Sequence, residues 1–390
     1  MLQMRGAVHL LKEKGTQAYL FIMMMTSSVV LIEPAPYDLL MITFLIIGFL
    51  ELKYKFPYKL FGLVSIFLLT VLFSSYFSED GKRTLVYGGI TFYLLLSFIG
   101  IASMQLKSKT LKAILDGYLY TAILSAIIGI ISYLHLVPGS DSLLMYGRAR
   151  AFFKDPNVYG PFLVFPALYC LSLWEMNRTG VIKRSFSLIG FVVIVMAIIL
   201  SFSRAAMANA LLAFALYLVI AKRDALRQRL TTLVILMVVG LPFLFYFIQT
   251  PAIYDLIETR LSYQHYDDHR FMTQKQGIDT AISHPFGIGS GQSENIFPQA
   301  THSLYVRVLV ENGVLGFISF LLIVVVSLLR AFKYFWKGAE EQSPLFLIVF
   351  CALIGQLFNG FFVDSLHWRH FWLLLALSWI SPGMSNNKKT

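Results

Sequence analysis

The chain has 390 residues, of which 57% are hydrophobic and only 14% charged, with 34 Phe and 20 Tyr. Apolar runs recur along it, and most approach the roughly 20 residues that an α-helix needs to cross a hydrocarbon core. This excludes a soluble globular domain. The runs are continuous and do not alternate with a period of two, which favours transmembrane helices over a β-barrel.

The pattern predicts an all-α integral membrane protein with about twelve transmembrane helices. In chain order the predicted spans cover residues 18–32, 38–51, 59–76, 84–104, 111–136, 159–176, 186–202, 205–221, 231–249, 313–332, 344–362 and 368–382. Arg5, Lys12 and Lys14 precede the first span, and no small-residue cleavage site follows it. This span is therefore expected to be retained, unlike a secretory signal peptide.

Only one connector between the predicted spans is long. It covers residues 250–301, and long loops in compact folds are usually functional or disordered. The segment "RFMTQKQGIDTAI" (270–282) has a helix-like composition, so an ordered functional cap is predicted. The chain is thereby divided into N-terminal transmembrane helices (1–249), a large external loop (250–301) and C-terminal transmembrane helices (302–390).

The connectors alternate in charge, which predicts orientation, because basic residues concentrate on the cytoplasmic side. One set, taken with both termini, holds 21 of the 32 Lys and Arg and 7 of the 21 Asp and Glu, a net charge of +14. The opposite side holds the other 11 basic and 14 acidic residues, a net charge of −3. The overall +11 therefore indicates topology and not nucleic-acid binding, and both termini are predicted to be cytoplasmic.

The apolar segment from Phe186 to Ala221 is predicted to be a helical hairpin. As one helix it would be about 54 Å long, far more than one crossing requires. Basic residues flank it on both sides, so both ends are expected on the cytoplasmic face. The turn then falls at "SFSRAA" (201–206) and places Arg204 at the outer surface, where an arginine needs an anionic partner or contact with water.

The external side collects an unusual number of basic residues and histidines. They are Arg148, Arg150, Lys154, Arg204, Arg260, Arg270, Lys275, Arg307 and Arg369, with His265, His269, His284 and His302. The planar fork of arginine suits bidentate binding of phosphate, and a diphosphate on a lipid carrier at the outer leaflet is a natural ligand. Several of these cations could instead pair with acidic residues of the same side, of which Asp155, Asp267, Asp268, Glu294 and Glu311 are the candidates.

His302 follows Thr301, which is predicted to be the N-cap of the next helix. The positive end of a helix dipole and nearby arginines disfavour imidazolium, and a neutral imidazole facing water can act as a general base. The alternative is a loop histidine that only forms hydrogen bonds. Arg307 and Glu311 are four residues apart on the same predicted helix and could pair with each other.

Three further features lend themselves to simpler interpretations. "HYDDH" (265–269) offers no third anchored ligand, so no metal site is predicted. "GIGSG" (287–291) follows no strand, and its glycines are expected to let a loop pack closely against helix ends or substrate. Cys170 and Cys351 lie within apolar spans and are interpreted as packing residues.

Three segments together resemble the bacterial O-antigen ligase and polymerase family. "SFSRAA" resembles its Ser-x-Ser-Arg turn, "HPFGIGSG" (284–291) resembles the Pro-x-Gly-x-Gly stretch of its large loop, and "THSLYVRVLVENGVLG" (301–316) resembles its His-containing segment. "FFKDPNVYG" (152–160) is similar to a further motif of many members. Where the family usually has Asn after the histidine, this chain has Ser303.

The resemblance implies a C-type membrane glycosyltransferase fold in the bacterial inner membrane, with the active site facing the periplasm or exterior. The implied reaction moves a glycan from undecaprenyl diphosphate to a hydroxyl of lipid A-core or another glycan, with inversion and without a metal or other cofactor. By the same resemblance His302 is the base, and Arg204 and Arg270 bind the diphosphate. Further candidates for substrate binding are Arg148, Arg150, Asp155, Asn157 and Arg307.

Two choices remain open at the level of sequence. Ligase and polymerase share these residues and differ in their acceptor. A transporter of solutes or polyisoprenoid lipids is the alternative of another class, although transporters usually carry ionisable residues near the bilayer midplane, and the spans here are almost free of charge. A purely structural membrane protein would not need the external arginines.

Overall fold

The computed structural model describes residues 2–50, 57–104, 107–176, 180–220, 229–230, 234, 265–297, 299–338 and 343–380. Within these residues the fold is all-α except for one short hairpin, in which Leu144–Met145 (β1) pairs antiparallel with Arg148–Ala149 (β2). The predicted span at 231–249 lies outside the described residues apart from Val234.

The described residues form thirteen α-helices. In chain order they are α1 (Leu2–Met25), α2 (Pro36–Leu50), α3 (Tyr58–Ser74), α4 (Gly81–Ser103), α5 (Ser108–Tyr133), α6 (Pro156–Met176), α7 (Val181–Leu200), α8 (Arg204–Val219), α9 (His265–Ser283), α10 (Ser293–Ile296), α11 (Leu304–Lys337), α12 (Ser343–Asn359) and α13 (Arg369–Trp379).

By length and composition, six of the described helices can cross a membrane. They are α3 with its 3-10 extension to Phe77, α4, α5, α6, α7 and α11, whereas α2, α8 and α12 are apolar but shorter. The chain is thus a multi-pass helical membrane protein, while the predicted number of twelve spans stays a prediction. The first predicted span, 18–32, overlaps only the end of α1, where the hydroxyls of Thr26 and Ser27 donate to the terminal carbonyls of the helix.

Helix α6 lies at the centre of the bundle, where it contacts α5, α7, α8 and α12. In its most apolar stretch 83% of the residues are buried, against 28% in α3, whose large side chains Phe61, Leu69 and Leu72 face outward. Helix α13 is buried from His370 to its end and packs on α4, α11 and α12. Cys170 and Cys351 are both buried among apolar neighbours, which confirms their interpretation as packing residues.

The predicted turn at "SFSRAA" within the apolar segment from Phe186 to Ala221 is confirmed, and the cytoplasmic location of the two ends stays a prediction. Helix α7 ends at Leu200 and α8 begins at Arg204, with a tight turn at Ser201–Ser203 between them. Phe202 adopts a positive φ of 45° in this turn, and the Ser203 side chain accepts a hydrogen bond from the Ala206 N–H, as an N-cap does.

Candidate active site at one end of the bundle

Helix α11 is interrupted at Gly313, whose φ of 72° and ψ of −177° are not helical. A break of this kind deprives the preceding carbonyls of their partners within the helix. The loop that follows α9 supplies new ones. The Ile288 N–H donates to the Val310 carbonyl and the Gly289 N–H to the Glu311 carbonyl, both at 3.0 Å. The loop is therefore held in the break of α11 by backbone hydrogen bonds.

Side-chain hydrogen bonds also connect this loop to the start of α4. The Gln292 side-chain amide donates to the Asp80 carbonyl (2.9 Å) and to Thr84 Oγ1 (2.8 Å). Arg83 Nε donates to the Gly291 carbonyl at 2.8 Å. The prediction that the "GIGSG" glycines let a loop pack closely against helices is confirmed, and their approach to substrate stays a prediction.

Arg307 is a buried arginine near this loop, and three carboxylates surround it. It is only 5% exposed and pairs with Glu311 (3.2 Å), Glu294 (3.5 Å) and Asp364. The pairing of Arg307 with Glu311, open at the level of sequence, is confirmed. Asp364 was not anticipated, because it lies 57 residues away in the short connector before α13 and no local pattern links it to Arg307.

The connector from Gly360 to Trp368 brings two titratable groups to this end of the bundle. Burial raises the pKa of Asp364, but nearby charge, that of Arg307 first, and hydrogen bonds from Arg307 and the Leu366 N–H together lower it more, so the pKa lies below its ordinary value. Burial and the charge of Arg307 lower the pKa of His367 to about 3, so this histidine is neutral. One of its ring nitrogens forms a 3.0 Å hydrogen bond with Thr91 Oγ1.

The helix that follows Thr301 begins at a different residue than predicted. Helix α11 begins at Leu304, and its N-cap is Ser303, whose hydroxyl accepts from the Val306 N–H. The prediction of Thr301 as the N-cap was therefore wrong. Asn and Ser are both favoured N-caps, so a serine at this position performs the same capping that the family's usual asparagine could perform.

His302 lies immediately before the cap, in a left-handed backbone conformation with φ of 47°. Its side chain is half-buried, and burial together with the charge of Arg270 lowers its pKa below the ordinary value of 6.5, while Asp364 and Asp155 act in the opposite direction. The imidazole is therefore predominantly neutral at pH 7. The cause is burial and Arg270, since His302 precedes the helix and does not lie in its first turn.

Arg270 and Asp155 reach His302 from distant parts of the chain. Arg270 lies in the first half of α9, which packs on α11. Asp155 precedes α6, where its carboxylate accepts a 2.7 Å hydrogen bond from the Asn157 N–H. The long loop before α11 and the "FFKDPNVYG" motif therefore both lie near the histidine that the sequence singled out.

Arg204 is exposed at the first position of α8. The free N–H groups and the dipole of a helix N-terminus favour an anion there, and an arginine at the same place adds a full positive charge. The turn before it is fixed by Ser203 as N-cap and by Ser201, whose hydroxyl donates to the Ile198 carbonyl at 2.6 Å.

Arg148 and Asn157 join this turn to the start of α6. Arg148 is 8% exposed; its Nε donates to the Ser201 carbonyl and its Nη2 to Asn157 Oδ1, both at 2.8 Å. A chain of contacts therefore runs from the turn before Arg204 through Arg148 and Asn157 to Asp155, which acts on His302. In this structure Arg148 and Asn157 position the turn, and contact with substrate stays a prediction for both.

Arg150 has a different environment. Its guanidinium donates to the Lys154 carbonyl (3.1 Å) and the Ser142 carbonyl (2.9 Å) and thereby closes the loop around the short hairpin. Lys154 in turn pairs with Glu33 at 2.8 Å. These contacts stabilise the loop, and a role of Arg150 in substrate binding stays a prediction.

The described residues contain no group of three or more His, Cys, Asp or Glu that could hold a metal ion. The side chains of His265 and Asp267, which belong to the "HYDDH" segment, lie outside the described residues. Arg260 also lies outside them.

The described part of the chain is thus a multi-pass helical membrane protein in which a broken helix, a glycine loop and a neutral histidine near Arg270 lie at one end of the bundle. A protein-family model described as O-antigen ligase matches residues 189–321. This segment contains Arg204, Arg270, His302 and the broken part of α11, and the match supports the assignment to the O-antigen ligase family that the motifs indicated. No curated protein matches the chain.

Proposed function

We propose that this protein is a membrane glycosyltransferase that moves a glycan from undecaprenyl diphosphate to an acceptor hydroxyl, as an O-antigen ligase does. The observation that carries the proposal is His302, a half-buried histidine with a lowered pKa beside Arg270. A neutral imidazole can accept a proton, and the arginine beside it can bind the leaving diphosphate.

In the proposed reaction the acceptor hydroxyl loses its proton to His302 while its oxygen attacks the anomeric carbon of the donor sugar. The bond between that carbon and the diphosphate oxygen breaks, and its electron pair leaves with the diphosphate. Arg204 and Arg270 stabilise the released charge. Because the acceptor displaces the diphosphate directly, the configuration at the anomeric carbon inverts.

The donor already carries an activated sugar, so the reaction needs no nucleoside triphosphate. The proposed metal independence is supported by the arginines, which supply positive charge where a divalent ion would otherwise be needed. Activity in the presence of EDTA is the expected result. Loss of activity with EDTA and its recovery with a divalent ion would contradict this part of the proposal and draw attention to the "HYDDH" segment.

The proposed orientation places the site on the outer side of the inner membrane and both termini in the cytoplasm. Accessible tags inserted at Lys107 and Gly338 are expected to report the cytoplasm, and tags at Ser140 and His265 the exterior. A cytoplasmic location of the tag at His265 would contradict the proposal, because the histidine and arginines would then face away from the acceptor.

The deciding experiment is reconstitution of the full chain with a glycan on undecaprenyl diphosphate. Lipid A-core, a second copy of the lipid-linked glycan, and no acceptor are supplied in parallel. Transfer to lipid A-core identifies a ligase, and lengthening of the lipid-linked glycan identifies a polymerase. Movement of the donor across the bilayer without any transfer product would indicate a transporter and overturn the proposal.

A further inference from the structure

A cavity of ≈ 220 Å³ opens beside the candidate active site, among α1, α2, α5, α6 and α13. Its wall includes Lys154 and Val158, which flank the Asp155 motif, and His367 and Trp368, which follow Asp364. No lining residue comes from α8 or α9, which carry Arg204 and Arg270. The cavity therefore adjoins the site but is separate from the two arginines that are proposed to bind the diphosphate.

The charged groups in the wall are neutralised by partners. Arg369 forms a bidentate pair with Asp38, with Nε and Nη2 at 2.6 and 2.5 Å from the two carboxylate oxygens. At the rim Lys154 pairs with Glu33 at 2.8 Å. Because each cation faces a carboxylate, the cavity offers no net charge to a phosphate or to a cation. The chemistry favours an uncharged ligand.

Much of the rest of the wall is aromatic. Tyr37, Tyr118, Phe153, Phe162 and Trp368 all line the cavity. Flat aromatic faces pack well against the C–H faces of a sugar ring, whose hydroxyls project from its edge. An apolar cavity with a few polar groups is the usual form of a small-molecule site.

His370 supplies an unused polar group in this wall. It is only 6% exposed, it packs against the rings of Phe162 and Trp368, and its Nε2 has no hydrogen-bond partner among the described residues. A buried polar atom without a partner is costly and calls for an explanation. A hydroxyl can satisfy this nitrogen in either tautomer, because it both donates and accepts.

We infer that this cavity binds one sugar ring of the acceptor glycan, with the ring against the aromatic wall and the His370 side chain turned so that a hydroxyl of the sugar reaches its Nε2. An engineered cavity of about 150 Å³ accommodates benzene, so ≈ 220 Å³ suits a single hexose and not a longer glycan. The assignment to the acceptor rests on the proposed function, whereas binding of a sugar ring rests on the cavity itself.

The test measures sugar binding directly, without donor or transfer. The full chain in lipid nanodiscs is mixed with methyl glycosides of glucose, galactose, mannose and N-acetylglucosamine, and saturation-transfer NMR monitors their ring protons. At least one glycoside is expected to bind. His370→Phe, which keeps a ring in the wall, and Trp368→Ala are each expected to weaken its binding about tenfold.

Trp336→Ala is the matched control, because Trp336 is an exposed indole at the far end of α11, outside the cavity. It should leave glycoside binding unchanged. Absence of binding by all four glycosides would overturn the inference, as would equal binding by the wild type and both cavity variants. Farnesol and inorganic phosphate are run in parallel, and displacement of the glycoside by farnesol alone would identify the cavity as a lipid-chain site and likewise overturn it.

The assignment of the cavity to the acceptor is tested separately, by transfer kinetics. His370→Phe is expected to raise the KM for the acceptor about tenfold while kcat and donor affinity change little. Weakened glycoside binding with an unchanged acceptor KM would overturn the acceptor assignment. If the protein catalyses no transfer at all, the proposed function fails, and the binding experiment still decides whether the cavity takes a sugar.

Discussion

Gly287 and Gly313 lie in close backbone contact where the loop enters the break in helix α11. A methyl group on Gly287 would lie 2.5 Å from the Glu311 carbonyl oxygen, and one on Gly313 would lie 2.4 Å from the Pro285 carbonyl oxygen. Both glycines have positive φ, 86° and 72°. The atoms they meet belong to the backbone, which cannot rotate away as a side chain can.

We therefore predict that Gly287→Ala and Gly313→Ala both lower the thermal stability of the purified protein and its activity. The left-handed backbone alone costs about 1–2 kcal/mol with a side chain, and the contact with backbone adds to this. Gly147→Ala is the control, since Gly147 also has a positive φ of 71° but no atom within 4 Å of its added methyl. Equal melting temperatures for Gly287→Ala and Gly147→Ala would mean that the close approach has no energetic consequence.

Arg307 is predicted to contribute to stability. Arg307→Met leaves Glu311 and Asp364 near each other without their cation, and breaking a buried ion pair in this way costs about 3–5 kcal/mol. Arg83→Met is the matched control, because Arg83 pairs with the same Glu294 but is more exposed, so its loss should cost about 1 kcal/mol or less. Thermal unfolding of the two variants measures the difference.

The same substitution should change how stability depends on pH. In the wild type Arg307 holds the pKa of Asp364 below 3.8, so this contribution is present above pH 3.8 and is lost as the pH falls through the lower folded-state value. Without Arg307, burial raises the pKa of Asp364 above 3.8. The stability deficit of Arg307→Met should then shrink on acidification, and a deficit that stays constant with pH would exclude Asp364 as its source.

Arg204 is predicted to act on the donor. Arg204→Ala should abolish transfer while the protein stays folded in the membrane, and Arg204→Lys should recover little, because lysine keeps the charge and loses the planar fork. Arg184→Ala is the control, since Arg184 lies near the start of α7, at its other end, over the Trp174 ring. Full activity of the lysine variant would show that a point charge suffices, and full activity of the alanine variant would remove the diphosphate role.

Features with a local cause could be predicted from the sequence. The hairpin of α7 and α8 follows from an apolar segment too long for one crossing with basic residues at both ends, and the packing role of the "GIGSG" glycines follows from their missing side chains. Family motifs then pointed to His302 and Arg270, and the structure brings these two residues together.

Long-range partners and helix starts could not be predicted in this way. Asp38 and Arg369 are 331 residues apart, and nothing in their local sequence links them. Thr301 and Ser303 are both good N-caps, so a choice between them requires the tertiary contacts. The Leu304 N–H donates to the carbonyl of Gly360, the residue that follows α12, at 2.8 Å, and this contact fixes the start of α11 against the end of α12.

His302 is predicted to be the general base, and the pH dependence of transfer tests this role. Protonation removes the lone pair that accepts the hydroxyl proton, so the rate should rise with pH through the titration of His302. Burial and Arg270 lower this pKa, so kcat/KM, which reports the free enzyme, should rise with a midpoint below 6.5. A bound diphosphate offsets the charge of Arg270, so the midpoint in kcat, which reports the donor complex, should lie higher.

The variant His302→Gln keeps hydrogen bonding but accepts no proton, so it should lose about two to four orders of magnitude in rate together with the acidic limb. Donor affinity should change little, because the arginines bind the diphosphate. His135→Gln is a closely matched control: His135 has a similar positive φ, 53° against 47°, so the backbone strain is the same, but it lies away from the site beside Asp141.

If glutamine at position 302 supports a near-normal rate with the limb intact, His302 only orients the loop or the substrate, and the proton must pass to another group. The separation between the kcat and kcat/KM midpoints is the more specific signature, because a histidine with a purely structural role has no reason to respond to the charge of the donor.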